Sequence, residues 1–416
     1  MRIVIAPDKF KGCLAAAEVA DAIAQGVRRA CPDAQVIACP MADGGEGTVD
    51  ALVAATGGRH EVRTVTGPLP SMRVAARFGV LGDGRTAVVE MAAASGLALL
   101  RPEQRDPMRT TTYGTGELLL AAAELGARRI IVGIGGSATV DGGIGCAQAW
   151  GARFTLNNGV TYGPADRKLT GGDLSAIHSV HTSRSMARIG AAPPGVPQIV
   201  HDDAPAACCG PGRALLDTRG IEFIVACDVG NPLFGPDGAA PVFGPQKGAT
   251  PQQVEELDAA LKRLAELIGA MDLAHAPGAG AAGGLGFGLF AFFGATVRSG
   301  IDIVIETTQL RQKLAGADLC ITGEGQFDAQ SLSGKTPIGV ARLCRDLNVP
   351  CIVLAGSTDG SAATAAVAEG VTAVFSIAQG PAELEDLMRD APRLLSDAAA
   401  GVMGVFTAGR APPPRG

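Results

Sequence analysis

Short apolar runs, each followed by a glycine-bearing loop with an acid or lysine and then by a helical stretch, recur at both ends of this chain. That alternation restricts the fold more than any other feature. RIVIAP at 2–7 reads as a buried strand, EVADAIAQGVRRA at 18–30 as an amphipathic helix, and QVIACP at 35–40 as a second strand. The loop MADGGEGT and the helical segment TVDALVAAT follow. Beyond residue 300 the pattern returns as DIVIE, GADLCITGEG, TPIGVARLCRDL, PCIVLAGS and VTAVFSI. Strands joined through helices favour a parallel sheet covered on both faces, with ligand loops at the strands' carboxyl ends.

The middle of the chain has another texture. TGPLPSMRVAARFGVLGDGRTAVVEMA, from Thr66, predicts antiparallel strands around a Gly-Asp-Gly turn. RIIVGIG and IEFIVACDV predict further strands, and Thr250 with Pro251 predicts the start of a long amphipathic helix. The expected fold is therefore α/β: a discontinuous parallel-sheet domain of Rossmann or flavodoxin-like type, with a second mixed α/β domain inserted into it. Residues 1–64 with 278–416 would form the first domain and 65–277 the second. Within the second, about 187–218 is rich in proline and glycine without a hydrophobic period, which predicts an extra surface loop.

Composition removes several function classes. The 416 residues carry 35 Lys and Arg against 41 Asp and Glu, a formal charge of −6, with no basic run to offer a phosphate backbone, so nucleic acid is not an expected partner. Hydrophobic residues at 47% supply a sizeable core. The ten cysteines form no C-x-x-C pair and sit mostly in apolar segments, as reduced thiols of a cytoplasmic protein do. Ala276–Val297 is free of charge over 22 residues, yet its seven glycines argue for a loop opening a short buried helix, and no membrane span is expected.

Five loops concentrate chemistry-bearing residues. They hold Asp8, Lys9 and Lys11; Asp43 and Glu46; Ser137, Thr139 and Asp141; Asp228 and Asn231; and Glu324, Asp328 and Lys335. Phosphoryl transfer needs lysines against phosphate oxygens, carboxylates for Mg²⁺, and glycines that let backbone N–H groups approach. Any single aspartate in such a loop is as well explained as a helix or turn cap; five loops together are not. AQSLSGKT at 329–336 matches a phosphate loop except for Ala329 in place of its first glycine, which points Lys335 at a phosphate. GAGAAG at 278–283 fits a dinucleotide motif but follows no strand. His178, His181, His201, Cys208 and Cys209 read as loop residues in preference to a metal site.

APDKFKGCLAA, PMADGGEGTVDAL, VEMAAASGLALL, YGTGELL, GIGGSATVDGG, ACDVGNPLFGPDGAAPVFGPQKGA, PGAGAAGGLGFGL and ADLCITGEGQFDAQSLSGKTPIGVA together resemble the bacterial glycerate kinase family, in order, from Met1 to about Ile377. The resemblance implies transfer of the ATP γ-phosphoryl group to D-glycerate, giving 2-phosphoglycerate, with Mg²⁺, in a two-domain α/β protein. The chain departs from the family pattern at 187–218, where a short connection is usual. With that frame, Asp141, Asp228, Lys9 and Lys335 are the expected catalytic residues. Lys11, Asp43, Glu46, Gly135, Gly136, Ser137, Thr139, Asn231, Gly280, Gly283 and Gly284 are expected to bind substrate or phosphate, and Glu324 and Asp328 to bind the metal. The expected partners are ATP and glycerate, with a homodimer left open. Two rival readings stand beside it: a nicotinamide-dependent oxidoreductase using the Gly278 motif, and an organic-acid binding protein without catalysis.

Overall fold

The computed structural model describes residues 1–182, 200–201 and 220–409. The expected extra loop at 187–218 lies outside the described residues. The chain opens with β1 (Arg2–Ile5) and β2 (Gln35–Ala38). It then runs through β3 (Arg59–Thr66), β4 (Arg73–Val80), β5 (Thr86–Glu90), β6 (Arg129–Gly133), β7 (Arg153–Leu156), β8 (Thr161–Tyr162) and β9 (Ile177–Thr182). After β10 (Val200–His201), β11 (Glu222–Ala226) and β12 (Thr296–Arg298) it finishes with β13 (Leu319–Phe327), β14 (Cys351–Thr358) and β15 (Ala373–Ser376).

Two compact units result. Unit 1 comprises Met1–Asp43, Asp50–Thr56 and Gly300–Gly416; unit 2 comprises Gly44–Val49 and Gly57–Ser299. In unit 1 a five-stranded sheet has the order β15–β14–β13–β1–β2, and every pair is parallel. Helices Ala16–Ala30 and Leu384–Ala408 bury Ile23, Val27, Leu394 and Leu395 with Ile3, Ile5, Ile321 and Leu354 of the strands. Chain order reverses between β1 and β13, which makes their carboxyl ends the place where loops part and a crevice opens.

Unit 2 holds a six-stranded sheet of order β12–β11–β6–β5–β4–β3, parallel from β12 to β5 and antiparallel beyond. The predicted Gly-Asp-Gly hairpin is there, with Gly84 at φ +66° in the turn. A smaller sheet, β10–β9–β7–β8, completes the strands. The helix Pro251–Leu267 begins where Thr250 and Pro251 predict, with Thr250 Oγ1 accepting from Gln253 N–H at 3.3 Å.

Two local expectations need correction. DIVIE is not a strand: it lies in the helix Gly300–Thr307, because a short apolar run flanked by threonine and glycine satisfies either period. The segment 278–299 belongs to unit 2 and not with the terminal residues. Its helix, Ala281–Phe293, is buried all round, and Phe293 meets Trp150 and Phe223 with ring centroids 5.2 Å away from each. Aromatic burial of this size decides which unit claims the segment. No helix among the described residues is long and apolar enough to cross a membrane.

Candidate active site

In unit 1 the loops after β1, β13 and β14 enclose a cavity of about 400 Å³, within the usual range for small-molecule sites. Asp8, Lys9, Lys11, Asp43, Glu324 and Lys335 line it, with Met388 and Leu387 of the last helix supplying an apolar wall. Five of the expected site residues thus meet in one place, joined by Asp8, to which no role was assigned.

Two carboxylates in this cavity, Asp8 and Glu324, are held against their preference for water. Asp8 is 7% exposed; burial, reinforced by the charge of Asp43, pushes its carboxyl up to about 6. Thr336 Oγ1 donates to Asp8 Oδ2 at 2.6 Å and the Lys9 N–H donates to Oδ1 at 2.7 Å, which partly offsets that cost. Glu324 is 8% exposed and burial carries it to about 7, opposed by a hydrogen bond from Ser331 and by Lys335, with Asp8 and Asp328 adding to the rise. Its Oε1 is buried without a hydrogen-bond partner among the described residues. A buried carboxylate oxygen left unpartnered beside two other acids is an unfavourable arrangement unless a cation or proton completes it.

The phosphate-loop resemblance resolves into something else. After β13 the chain makes a single 3₁₀ turn at Ser331–Ser333, Gly334 takes φ +98°, and a helix runs from Thr336 to Asp346. Lys335 caps that helix and lines the cavity, as the motif suggests. Asp328, expected to bind metal, is outside the cavity lining. Its Oδ1 accepts the Gln330 N–H at 2.8 Å, so it closes the turn that follows β13.

In unit 2 the loop 135–143 follows β6, and Asp228 lies exposed beyond the neighbouring β11. Gly135 and Gly136 are exposed, and Gly136 has φ +72°, a left-handed position that glycine takes without strain. Glu46 is exposed in the adjacent loop, where Gly45 Cα lies 3.7 Å from the side-chain position of Gly135. Ser137 Oγ accepts from Lys247 Nζ at 2.7 Å, and the same ammonium donates to the Thr139 carbonyl at 2.7 Å. Lys247 is fully buried and burial lowers it to about 7, with Asp141 opposing the fall. Thr139 Oγ1 is buried with no partner among the described residues.

Several expected site residues of this unit are engaged with the protein's own backbone. Asp141, expected to be catalytic, is fully buried. Its carboxylate accepts from Thr112 N–H and Oγ1, both at 2.8 Å, and from the N–H groups of Gly143 at 3.1 Å and Gly145 at 3.3 Å. Those bonds spend its acceptors on the scaffold. Gly280, Gly283 and Gly284 are buried, and a side chain there would strike Pro232, Thr139 and Leu233 respectively, so close packing accounts for these glycines. Gly278 follows the helix Met271–Ala274, which removes the strand context of a dinucleotide site. Asn231 anchors its own turn, donating from Nδ2 to Asp237 O at 2.8 Å.

Lys247, Asp8 and Thr336 are the polar groups that sequence reasoning left unassigned. Lys247 lies in the quoted GPQKGA segment, and a lysine between glycine and proline turns was its visible signal.

A parallel α/β sheet whose switch-point cavity gathers three lysines and three carboxylates defines a phosphate-handling enzyme class. The family model described as the glycerate kinase family matches residues 3–211 and 212–407, and the chain belongs to that family. It is 44% identical over 403 residues to the glycerate kinase of Bacillus subtilis (strain 168), covering 96% of each chain. It is 44% identical over 396 residues to the glycerate 2-kinase of Escherichia coli (strain K12), covering 94% of each. A crystal structure described as a candidate glycerate kinase 2 from Salmonella typhimurium LT2 matches with a TM-score of 0.81 at 45% identity, over 99% of each chain.

Proposed function

We propose that this protein transfers the γ-phosphoryl group of ATP to the 2-hydroxyl of D-glycerate, in a cytoplasmic setting. The observation that carries the reading is the unit 1 cavity, where Lys9, Lys11 and Lys335 stand beside Asp8, Asp43 and Glu324, whose Oε1 is buried without a partner among the described residues. In the reaction the hydroxyl oxygen forms a bond to phosphorus, the bond from phosphorus to the β–γ bridging oxygen breaks, and the hydroxyl proton must find a base.

Asp8 is suited to take that proton. Its carboxyl titrates near neutrality, it lines the cavity, and Thr336 and the Lys9 N–H fix its orientation. Lys335 and Lys9 supply positive charge to phosphate oxygens, and Lys11 to a phosphate or to the carboxylate of glycerate, all as point cations on flexible stems. The unpartnered Oε1 of Glu324, with Asp43 among the same lining residues, is the hard oxygen donor set that Mg²⁺ favours. Glu324 and Asp43 would hold the ion, which supplies charge neutralisation at the β- and γ-phosphates. In unit 2, the two hydrogen bonds from Lys247 hold the Ser137–Thr139 segment and so keep the exposed Gly135–Gly136 turn in place for a ligand at the strand ends.

A coupled assay of ADP release with D-glycerate and with glycerol tests the substrate class, because glycerol lacks the carboxylate. Turnover with D-glycerate and almost none with glycerol is expected, and phosphorus NMR of the product should show the 2-phosphate ester. Equal rates on the two substrates would overturn the organic-acid assignment.

A further inference from the structure

Away from the cavity, three thiols converge inside unit 1. Cys320 lies near the start of β13, Cys351 opens β14, and Cys344 sits in the last turn of the helix Thr336–Asp346. Cys320 and Cys351 are register partners across the parallel pair. All three are fully buried, and their sulfurs lie within 4.8 Å of one another. Burial is ordinary for a free cysteine. Delivery of three sulfurs to one point by two strands and a helix is a donor arrangement.

We propose that Cys320, Cys344 and Cys351 form a three-coordinate binding site for a thiophilic trivalent ion of the arsenite class. Bonds of about 2.3 Å from a trigonal-pyramidal As(III) would place the sulfurs about 3.5 Å apart, so the cluster draws together when the ion is bound. Zinc is disfavoured because a structural site wants four ligands, and no further His, Cys, Asp or Glu joins the three among the described residues. Hydrogen bonds among the three thiols draw Cys344 down, while Cys320 and Cys351 are pushed up. The groups that shift the three thiols are one another and burial, with no lysine or arginine acting on them among the described residues.

Charge then selects the ion. Three thiolates around a monovalent or divalent metal leave net negative charge in an apolar interior, which is costly. Arsenous acid leaves none. Each thiol gives its proton to one hydroxide of As(OH)₃, three As–O bonds break, three As–S bonds form, and three waters leave without any change of oxidation state. The occupied site would tie the helix that begins beside Lys335 to the strand that carries Glu324. Because the sulfurs are buried, entry requires local opening and uptake is slow.

The test uses the full chain carrying Cys208→Ser and Cys209→Ser, which removes the one pair of adjacent cysteines. After prolonged incubation with sodium arsenite and desalting, elemental analysis should find one arsenic per chain. Native mass spectrometry should show that gain with the loss of three hydrogens. Adding Cys344→Ser, or Cys351→Val to keep packing volume, should lower retained arsenic at least tenfold, with melting curves of the arsenic-free variants as the folding control. A chain that retains no arsenic, or retains the same amount after either added substitution, overturns the proposal.

Discussion

Unit 1 and unit 2 both end parallel strands in loops of glycine and acid, yet they treat the acid in opposite ways. In unit 1, Glu324 keeps a buried oxygen without a partner among the described residues; burial raises Asp8 and Asp141 alike, so the contrast rests on Glu324. In unit 2, the carboxylate of Asp141 is saturated by Thr112, Gly143 and Gly145. One arrangement leaves capacity for a ligand; the other consumes it to hold a loop. An aspartate in a glycine loop is therefore read by counting its hydrogen bonds, and residue type alone does not separate the two uses.

The comparison breaks most visibly at Glu324. Glu324→Gln keeps shape and removes the charge, and turnover should fall by roughly 10²–10³, the usual effect of deleting one member of a preorganised electrostatic site. The melting temperature should change little, because Oε1 has no hydrogen bond to lose and the remaining carbonyl oxygen of glutamine can still accept from Ser331. Near-normal turnover would show that the undersatisfied acid is a packing accident. The Mg²⁺ dependence of the rate sharpens the result, since a weakened ligand set requires more ion.

Asp141→Asn probes the opposite case. The amide nitrogen cannot accept from the N–H groups now pointing at the carboxylate, and hydrogen bonds to charged groups contribute about 1.5–3 kcal/mol each. A loss of about 3 kcal/mol in unfolding free energy is expected, with activity per folded molecule falling much less than in Glu324→Gln. Chemical denaturation followed by activity measurement on the folded fraction separates the two. Unchanged stability with collapsed turnover would restore the catalytic role that sequence reasoning gave Asp141.

Legibility followed the same divide. The β–loop–α alternation exposed the parallel strands because a 2-residue and a 3.6-residue period differ over six or more residues. DIVIE was too short for that, and only Ile301, Ile303 and Val304 turning into the core made it helical. Lys9, Lys11, Lys335 and Glu324 were visible because charged residues beside glycine at strand ends have few structural reasons to be there. Gly283 and Asp141 carried the same local signature, yet their partners are Thr139 and Thr112, distant in sequence and close only in the fold. Asp8 was quoted without a role because its consequence depends on Thr336, more than three hundred residues away.

The finest distinction between the units is the state of Lys247. A lysine with two neutral acceptors, Ser137 Oγ and the Thr139 carbonyl, is buried and lowered from 10.5 to about 7. The sign of its effect on stability follows from proton counting. Below pH 7 both the folded and unfolded chains carry the proton, and this residue gives no slope. Between pH 7 and the unfolded value the unfolded chain holds a proton that the folded chain has released, so stability rises with pH. The rise should amount to roughly 2 kcal/mol from pH 7 to 9, given about 1.4 kcal/mol per pH unit at full difference. Lys247→Met keeps the apolar stem and abolishes titration, so its urea midpoint at pH 7, 8 and 9 should lack that increment. An identical pH slope in the variant would mean that Lys247 stays charged in the fold, and that unit 2 also holds an undersatisfied ion at its loop.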